Sequence, residues 1–325
     1  MRVPFWVSNI TPEDQEAVQR SLNSGYLTRG PEVEAFEAEL CAISGARYAV
    51  CVSSGTAALM VAYRACWVGP ECLASERRPA GGDYGEITVP ALTFRGTALA
   101  ALMLGAKVHY SDIGTGKPRI GLDVALTLGG DPRHATVAFN VLDAAHGPYT
   151  VSGGTALHCL SFDYQKHVRC GEGGAILTNH LESAEECRVI RDQGERGANF
   201  RMSEMHAALG RSQLRRLPGT IAKRRAIAAR YDHVLEHWSV RHSPESWRLL
   251  YQLRVSNRDE MREALECAGI ETRIHYPLCP GADPERVPLA AAHARETLSL
   301  PLYPELTEDQ VDYVIETTLG AIREC

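Results

Sequence analysis

The feature that most constrains the fold is a series of short apolar segments that alternate with helical segments over roughly the first two hundred residues. Each apolar segment has the length of a buried strand and ends at turn-forming or polar residues. Alternation of this kind favours a mostly parallel sheet covered by helices on both faces. The predicted strands are residues 48–52, 86–90, 106–110, 135–142, 156–160 and 175–178.

The C-terminal part of the chain predicts a second, smaller α/β unit. Its first helix is amphipathic and runs from Thr220 to about Trp238, and predicted strands follow near 249–255 and at 271–276. The last helix begins with a capping box at Thr307. We therefore predict a large domain over residues 1–219, followed by a linking helix and a small domain over residues 220–325.

One lysine lies between two of the predicted buried strands. The stretch SFDYQK, residues 161–166, follows the strand at 156–160, and glycines at 171, 173 and 174 precede the next strand. A lysine in such a place is poorly solvated, which favours its neutral amine and lets it act as a nucleophile. A Schiff-base lysine needs this property. An ordinary surface-loop lysine remains the alternative from these residues alone.

Two further strand ends carry polar groups. Ser53 to Thr56 lie between a strand and a helix, where free backbone N–H groups and the helix dipole form an anion site. The alternative is a plain Ser/Thr helix cap. Asp143 follows the strand at 135–142, at the strand end where open α/β sheets bind ligands. A helix cap or an arginine partner would equally account for this carboxylate.

Composition excludes several classes of function. The chain has 325 residues and a net charge of −6, which disfavours binding to nucleic acid or to an anionic membrane. No apolar run reaches membrane-spanning length, and the N-terminus lacks the apolar segment of a signal peptide. The ten cysteines form no CxxC pair, so we expect no zinc site or other metal site and a reducing, cytoplasmic location. No G-x-G-x-x-G dinucleotide motif follows a strand.

Eight segments, taken in order, resemble those of a known family. The chain is similar to the DegT/StrS-type (nucleotide-sugar) aminotransferases, which are fold-type I enzymes dependent on pyridoxal phosphate. The match runs nearly end to end. The segments are GYLTRGPEVEAFEAEL (25–40), SSGTAAL (53–59), VPALTF (89–94), LDAAHG (142–147), SFDYQK with GEGGAILTN (161–179), FRMSEMHAALGRSQLRRL (200–217), GIETRIHYPL (269–278) and LSLPLYPELTEDQVDYVI (298–315).

The resemblance implies three catalytic residues. Lys166 would hold pyridoxal phosphate as an internal aldimine and later shuttle the proton between the substrate and the cofactor. Asp143 would pair with the protonated pyridine nitrogen and keep the ring an effective electron sink. His146 would lie near the cofactor's phenolic oxygen or support Asp143, and a structural histidine is the alternative. The lysine favours transamination, because a dehydratase branch of the family carries histidine at that position.

The resemblance also implies the cofactor-binding residues. Phe94 would lie flat on the ring, although simple core packing would select the same residue type. Gly55, Thr56 and Ser161 would hold the phosphate. Asn199 would reach the phosphate from a second subunit, and this implies a homodimer with shared active sites.

For the substrates, the resemblance implies an amino acid donor, L-glutamate or L-glutamine, and an acceptor carbonyl on a sugar, nucleotide-sugar or cyclitol. Candidate acceptor-side residues are Tyr26, Thr28, Arg201, His275 and Tyr276, each of which would also suit a turn or an interface. Two other functions stay open, namely dehydration and aromatisation with the same cofactor, as in aminohydroxybenzoate synthases, and a non-catalytic sensor with this fold.

The chain departs from the family pattern in several places. Leu142 stands where an acidic residue commonly precedes the aspartate. The segment 69–85 looks longer than usual, and the segment after Tyr276 looks trimmed. These last two regions are where such enzymes meet the non-reacting part of the substrate, so they leave the acceptor less defined than the cofactor.

Overall fold

The computed structural model describes residues 1–68, 86–113, 124–126, 139–147, 149, 151, 157–193, 198–240 and 246–324. The long segment 69–85 therefore lies outside the described residues. The described helices are α1 Pro12–Asn23, α2 Pro31–Ser44, α3 Gly55–Val68, α4 Arg95–Met103, α5 Leu181–Arg191, α6 Glu204–Arg215, α7 Leu217–Leu235, α8 Arg258–Cys267, α9 Pro288–Glu296 and α10 Glu308–Glu324. The described strands are β1 Tyr48–Val52, β2 Glu86–Pro90, β3 Lys107–Ser111, β4 Val124–Leu126, β5 Phe139–Asp143, β6 Leu157–Ser161, β7 Gly174–Thr178, β8 Tyr251–Arg254 and β9 Thr297–Leu300.

The largest sheet has the strand order β1-β7-β6-β5-β4. Strands β5 and β6 pair in parallel, with Asp143 opposite Cys159. Strand β7 pairs antiparallel with both of its neighbours, β1 and β6. Strands β2 and β3 form a separate parallel pair, and β8 and β9 form an antiparallel pair. In the large sheet, β1, β5 and β6 thus run in one direction.

The predicted α/β class is confirmed, and the described strands correct two details of it. The sheet is mixed rather than mostly parallel, because β7 and β4 run against the other three strands. The connection from β6 to β7 contains no helix among its described residues, and a helical crossover is what usually joins parallel neighbours. The predicted strand at 271–276 is wrong, since β9 takes the place beside β8 and Arg273 makes only an isolated bridge to Ser299.

Reciprocal capping pairs stand at the start of two helices. The predicted capping box at Thr307 is confirmed, because Thr307 and Gln310 exchange hydrogen bonds at the start of α10. At the start of α1, Thr11 accepts a hydrogen bond from the Asp14 N–H, the Asp14 carboxylate accepts one from the Thr11 N–H, and Pro12 occupies the first turn. Each pair satisfies N–H groups that a helix start otherwise leaves without partners.

Helices cover the large sheet on both faces, as predicted. In β1, Val50 and Val52 belong to a buried cluster with Ala58 and Val61 of α3. The alternate residues of β1, Ala49 and Cys51, belong to another buried cluster on the opposite face. That second cluster includes Phe36 and Leu40 of α2, Ala207 and Leu214 of α6, and Phe162. The sheet between the two clusters is therefore a rigid support for whatever its strand ends carry.

The C-terminal elements have a core of their own. Ile227 and Tyr231 of α7 pack with Leu253, Leu298 and Val314, which come from β8, β9 and α10. The N-terminal residue Val3 joins this cluster and bridges to Ile270. The division into 1–219 and 220–325 stays a prediction, because separate cores do not by themselves define independent domains.

A stability prediction follows from Gly174 at the start of β7. A Cβ atom there would lie 2.4 Å from the carbonyl oxygen of Ser54 and 2.8 Å from that of Leu160. Because both neighbours are backbone atoms that cannot rotate away, Gly174→Ala should lower the free energy of unfolding by about 2 kcal/mol. Urea unfolding followed by circular dichroism measures this loss.

Gly219 provides the matched control for this substitution. It lies in α7, and a Cβ atom there meets nothing within 4 Å. Gly219→Ala should therefore raise the free energy of unfolding by roughly 0.5–1 kcal/mol through helix propensity. Equal unfolding midpoints for the two variants would contradict the close contact at Gly174.

Candidate active site

The lysine loop between β6 and β7 is closed by its own backbone. The Phe162 N–H donates to the Gly173 carbonyl at 2.8 Å, and the Lys166 N–H donates to the Asp163 carbonyl at 2.9 Å. The Asp163 carboxylate also accepts the Gln165 N–H at 3.0 Å. Gly173 has a φ of +153°, and a Cβ atom there would lie 2.4 Å from Met202 Cε. These bonds fix the position of Lys166 beside the sheet.

Lys166 and Asp143 line one cavity of about 360 Å³. This volume lies within the range of small-molecule sites, roughly 300–1,000 Å³. The walls come from the ends of β1, β5 and β6 and from the segment after α8. The lining residues that were predicted for the site are Gly55, Thr56, Phe94, Asp143, His146, Ser161, Lys166, His275 and Tyr276.

Asp143 is a buried carboxylate with two hydrogen-bond donors. It is 7% exposed, and it accepts bonds from Thr97 Oγ1 at 2.8 Å and from the Ala145 N–H at 3.2 Å. Burial raises the pKa of Asp143, while the bonds from Thr97 and Ala145 and the charge of Lys166 lower it. Burial is the largest of these effects, so the pKa of Asp143 lies above the ordinary value of an aspartate, and the two donors limit that rise.

The amine of Lys166 is shifted in the direction that a nucleophile requires. Burial lowers its pKa, and the carboxylates of Asp143 and Asp163 oppose that shift. The neutral amine is therefore more populated than in a solvated lysine. Among the described residues, Lys166 is the only lysine that lines the cavity. The amine of Lys166, in the loop after β6, and the carboxylate of Asp143, at the end of β5, thus line the same cavity.

The start of α3 forms the candidate anion end of the cavity. Ser54 caps the helix by accepting the Ala57 N–H at 3.0 Å, and Gly55 and Thr56 form the first turn. A Cβ atom at residue 55 would lie 2.7 Å from Cβ of Ser161, so the glycine lets the helix start approach β6 closely. The first N–H groups of the helix and the hydroxyls of Thr56 and Ser161 are suitable phosphate ligands.

Phe94, His146 and Tyr276 form an aromatic and polar wall. Phe94 immediately precedes α4, and its side chain is 48% exposed. Its ring lies 6.0 Å from that of Tyr276 at an interplanar angle of 62°. The Tyr276 hydroxyl and His146 Nε2 are 2.8 Å apart, which joins the C-terminal elements to the end of β5. Burial raises the pKa of the Tyr276 hydroxyl, so this group stays protonated.

His275 is held from behind by β9. Its Nδ1 lies 3.0 Å from Ser299 Oγ, and its ring stacks on Phe5 with centroids 5.6 Å apart. Burial, with smaller contributions from Lys166 and Arg273, lowers the pKa of His275 to about 4. The ring is therefore neutral at pH 7 and serves as a polar wall without charge.

Four predicted site residues lie outside the described lining of this cavity. Tyr26 and Thr28 are exposed on the loop before α2, and Asn199 and Arg201 lie beside the end of β1. Thr28 bridges to Ser203, and the Glu204 N–H donates to the Leu27 carbonyl. All four therefore belong to one neighbouring surface of the chain rather than to the chamber that contains Lys166.

The buried Glu204 holds this surface in place, and no role was predicted for it from the sequence. Its carboxylate accepts the N–H groups of Gly30 at 2.8 Å and Glu32 at 2.7 Å, so it caps α2 from a distant part of the chain. The motif FRMSEMHAALGRSQLRRL contains this residue, but nothing in the residue spacing connects it to residue 30. The bonds from the backbone of residues 30 and 32 to Glu204 are therefore found only in the structure.

Thr97 is the other functional residue that the sequence analysis missed. Its hydroxyl bonds to Asp143 and lies 3.2 Å from the Thr93 hydroxyl, and its carbonyl accepts the Tyr63 hydroxyl at 3.2 Å. Thr97 lies three residues after Phe94, one helical turn into α4. That spacing predicts a residue directed back toward the same site as Phe94.

The donor set of the cavity fits pyridoxal phosphate. Lys166 supplies an amine for the aldehyde, Asp143 supplies a buried carboxylate for the ring nitrogen, and the start of α3 supplies phosphate ligands. Among the described residues, no cluster of histidine, cysteine, aspartate or glutamate side chains could hold a metal ion. No helix in the described part of the chain is long and apolar enough to cross a membrane.

Comparison with known proteins supports the same assignment. A model of the DegT/DnrJ/EryC1/StrS aminotransferase family matches residues 8–123 and 138–319. The dTDP-3-amino-3,4,6-trideoxy-alpha-D-glucose transaminase of Streptomyces venezuelae is 32% identical, over 99% of this chain and 96% of that protein.

Solved structures give the same result. DesV of S. venezuelae, in complex with a ketimine intermediate, superposes with a TM-score of 0.79 at 29% identity and covers 96% of this chain and 94% of its own. The pyridoxal-phosphate form of Spr1654 from Streptococcus pneumoniae, a protein described as a putative sugar aminotransferase, has a TM-score of 0.84 at 24% identity. It covers 100% of this chain and 99% of its own, and it shows the shared fold.

The bond from Thr97 to Asp143 predicts an effect on cofactor affinity. Thr97→Val keeps the shape of the side chain and removes the hydroxyl that favours the ionised carboxylate. Because hydrogen bonds to charged groups are worth about 1.5–3 kcal/mol, pyridoxal phosphate should bind about tenfold more weakly or worse. An absorbance titration of the apoprotein measures the affinity.

Thr93→Val is the control for this prediction. Thr93 contacts the Thr97 hydroxyl but makes no hydrogen bond to Asp143 among the described contacts. Its substitution should change the affinity by much less than that of Thr97. A Thr97→Val protein with the parent's affinity would show that Asp143 does not depend on this donor.

A pH prediction follows from His275. Its pKa is lowered to about 4 in the folded chain, whereas an unfolded histidine titrates near 6.5. Between pH 6.5 and about 4 the unfolded state therefore binds a proton that the folded state does not, and stability falls as the pH falls. The contribution is complete above pH 6.5. Lowering the pH from 7 to 5 should cost about 1–2 kcal/mol of unfolding free energy from this residue.

Urea unfolding at pH 7 and pH 5 measures this cost. In His275→Gln the loss between the two pH values should be smaller than in the parent. His237→Gln, which removes an exposed histidine, is the matched control and should keep the parent's loss. If the His275 variant loses as much stability as the parent, its ring is already charged in the folded protein.

Proposed function

The chain belongs to the DegT/DnrJ/EryC1/StrS aminotransferase family, and we propose that it moves an amino group from L-glutamate or L-glutamine to a carbonyl group of a sugar. As a family member it is an aminotransferase that depends on pyridoxal phosphate. The observation that carries the proposal is that Lys166 and Asp143 line one cavity that also contains the start of α3. When bound, pyridoxal phosphate supplies the electron sink through which an amine and a carbonyl are exchanged.

Lys166 is the residue to which the cofactor attaches in this proposal. Its lowered pKa favours the neutral amine, which is the form that reacts with an aldehyde. As the free amine, Nζ of Lys166 would accept the proton from the donor's α-carbon in the first half of the reaction and would donate a proton to the acceptor carbon in the second half. A positioned base of this kind contributes roughly 10²–10⁴ in rate.

Asp143 and the start of α3 hold the two ends of the cofactor. The carboxylate of Asp143 would pair with the protonated ring nitrogen, and Thr97 and the Ala145 N–H would keep that carboxylate oriented. Gly55, Thr56 and Ser161 would bind the phosphate. Phe94 would cover one face of the ring and exclude water from it. All of these residues except Thr97 line the cavity.

The nature of the acceptor rests on the relatives and on the polar wall of the cavity. The relative from Streptomyces venezuelae is a transaminase of a dTDP-linked amino sugar. The neutral His275 and the hydrogen-bonded pair His146–Tyr276 present polar groups without a formal charge. Such groups suit the hydroxyls of a sugar ring better than a carboxylate side chain. We therefore place a keto or aldehyde sugar, most simply one linked to a nucleotide, in this position.

We also propose that the enzyme works as a homodimer with shared active sites. Asn199, Arg201, Tyr26 and Thr28 lie on a surface outside the cavity of their own chain. Glu204 holds the loop that carries Tyr26 and Thr28 in a fixed conformation. A prearranged set of polar side chains on this surface is suited to complete the site of a second subunit, with Asn199 directed to the phosphate.

The amino-donor half of the reaction tests this proposal. Incubation of the loaded protein with L-glutamate should convert the bound cofactor to pyridoxamine phosphate and release one equivalent of 2-oxoglutarate. Lys166→Ala should lower the rate of this conversion by at least about 10³, because the base is lost. Absorbance spectra and chromatography of the keto acid follow both products. Lys223→Ala, which removes an exposed lysine of α7, is the matched control.

The second half of the reaction identifies the acceptor class. The pyridoxamine-loaded protein is mixed with keto sugars, with and without an attached nucleoside diphosphate, and the return of the aldehyde form is recorded. Return of that form together with an amino sugar supports the proposal. Loss of the amine without an amino sugar, or formation of a dehydrated product, would contradict it in favour of dehydration.

A further inference from the structure

A second, smaller cavity adjoins the candidate active site. Its volume is about 30 Å³, which is room for one or two groups the size of a water molecule. Its lining shares five residues with the larger cavity, namely His146, Gln165, Lys166, His275 and Tyr276. The other lining residues come from the N-terminal segment, from α7, and from the end of β9 and the segments that flank β8 and β9: Phe5, Trp6, Arg224, Leu249, Leu250, Leu300 and Leu302.

Arg224 of α7 brings a buried positive charge to this cavity. Its side chain is 1% exposed, and one terminal nitrogen, Nη1, donates to the carbonyls of Leu249 at 2.9 Å and Leu302 at 2.5 Å. Its Nε atom is buried and has no hydrogen-bond partner among the described residues. Burial lowers the pKa of Arg224 to about 9, so the guanidinium remains charged at pH 7.

The carboxylates nearby do not balance the positive charge. Arg169 is also buried and lies over the Trp6 ring, and its Nη2 lacks a partner in the described part of the chain. Glu305 is the carboxylate that acts electrostatically on both arginines. Its Oε1 accepts a bond from Asn9, and its Oε2 has no partner among the described residues. The hydrogen bonds described for the two arginines go to backbone carbonyls rather than to carboxylates.

The remaining titratable groups do not change this balance. Lys166 faces the carboxylates of Asp143 and Asp163, and Arg216 pairs with Asp14. The pKa values of His275 and of the adjoining His167 are lowered by burial, so both rings are neutral at pH 7. Two buried guanidinium groups therefore share one carboxylate. A buried charge without a counter-ion costs several kcal/mol, which makes a bound anion favourable here.

The free donors around the cavity have the polarity that an anion requires. The Trp6 indole N–H is buried and unpartnered in the described part of the chain, as is Nε of Arg224. Both groups can only donate a hydrogen bond. Unmade bonds of buried donors are costly, and both residues line the cavity, where an acceptor would offset that cost. The small volume excludes a sugar or a nucleotide and fits a single halide.

We propose that this cavity is a binding site for a small monovalent anion, with chloride as the ligand, held by Arg224 and the indole N–H of Trp6. The anion neutralises the buried guanidinium and lies beside the loop that carries Lys166. The site is separate from the proposed phosphate position at the start of α3. The site does not depend on the identity of either substrate. The proposed function and the anion site can therefore be tested, and rejected, independently of each other.

Bromide provides a direct test, because its anomalous scattering distinguishes it from water. Crystals of the intact chain loaded with pyridoxal phosphate are grown with sodium bromide in place of chloride. An anomalous peak within hydrogen-bond distance of Arg224 Nε supports the site. Density without anomalous signal at that position identifies water, and this result would overturn the proposal.

A thermal measurement tests the same site in solution. Replacing 100 mM gluconate with 100 mM chloride at constant ionic strength should raise the melting temperature of the loaded protein by about 2 °C or more. Arg224→Gln and Trp6→Phe each remove one donor and should reduce this rise by at least half. Arg225→Gln is the matched control, since Arg225 neighbours Arg224 but is exposed.

The two variants keep the test informative if one of them is poorly folded. Trp6→Phe retains an aromatic ring under Arg169 and removes only the N–H group, so it is the milder change. An equal chloride response in the parent, in Trp6→Phe and in Arg225→Gln would overturn the role of this cavity. No chloride response in the parent would also overturn it.

Discussion

The structure depends on the placement of one amine and one carboxylate at adjoining strand ends. Asp143 ends β5, and Lys166 follows β6 through a short loop closed by backbone hydrogen bonds. Because β5 and β6 pair in parallel, both side chains reach the same edge of the sheet. Burial raises the pKa of the carboxylate and lowers that of the amine, and their mutual attraction opposes both shifts. In the proposed function, Asp143 pairs with the protonated ring nitrogen of the cofactor and Lys166 reacts with its aldehyde.

The rest of the fold holds this pair in place. Apolar side chains on alternate faces of β1 and β7 pack against helices on both sides, so the sheet edge has little freedom to move. The C-terminal elements supply His275 and Tyr276, and the bond from Tyr276 to His146 ties them to the end of β5. The sheet therefore positions Lys166 and Asp143, whereas the second core supplies the wall that we propose meets the substrate.

Much of this arrangement could be predicted from the residues alone, because it depends on local signals. Apolar runs marked most of the strands, a capping box marked α10, and Lys166 and Asp143 stood where strand ends place functional groups. Strand direction could not be predicted in the same way, since the antiparallel pairing of β7 depends on partners distant in the chain. The same holds for the contact between Tyr276 and His146, which are 130 residues apart, and for the bond from Thr97 to Asp143. The burial of Arg224 likewise depends on Leu249 and Leu302, which lie outside its own helix.

Reduction with borohydride followed by peptide mapping tests most directly whether the cofactor is attached to Lys166. The chain contains four lysines, Lys107, Lys117, Lys166 and Lys223, so the label can be assigned without ambiguity. After loading with pyridoxal phosphate and reduction, the account predicts one pyridoxyl-phosphate group per chain, on the peptide that contains Lys166. A label distributed over the other lysines, or a reduced protein without any label, would contradict the account.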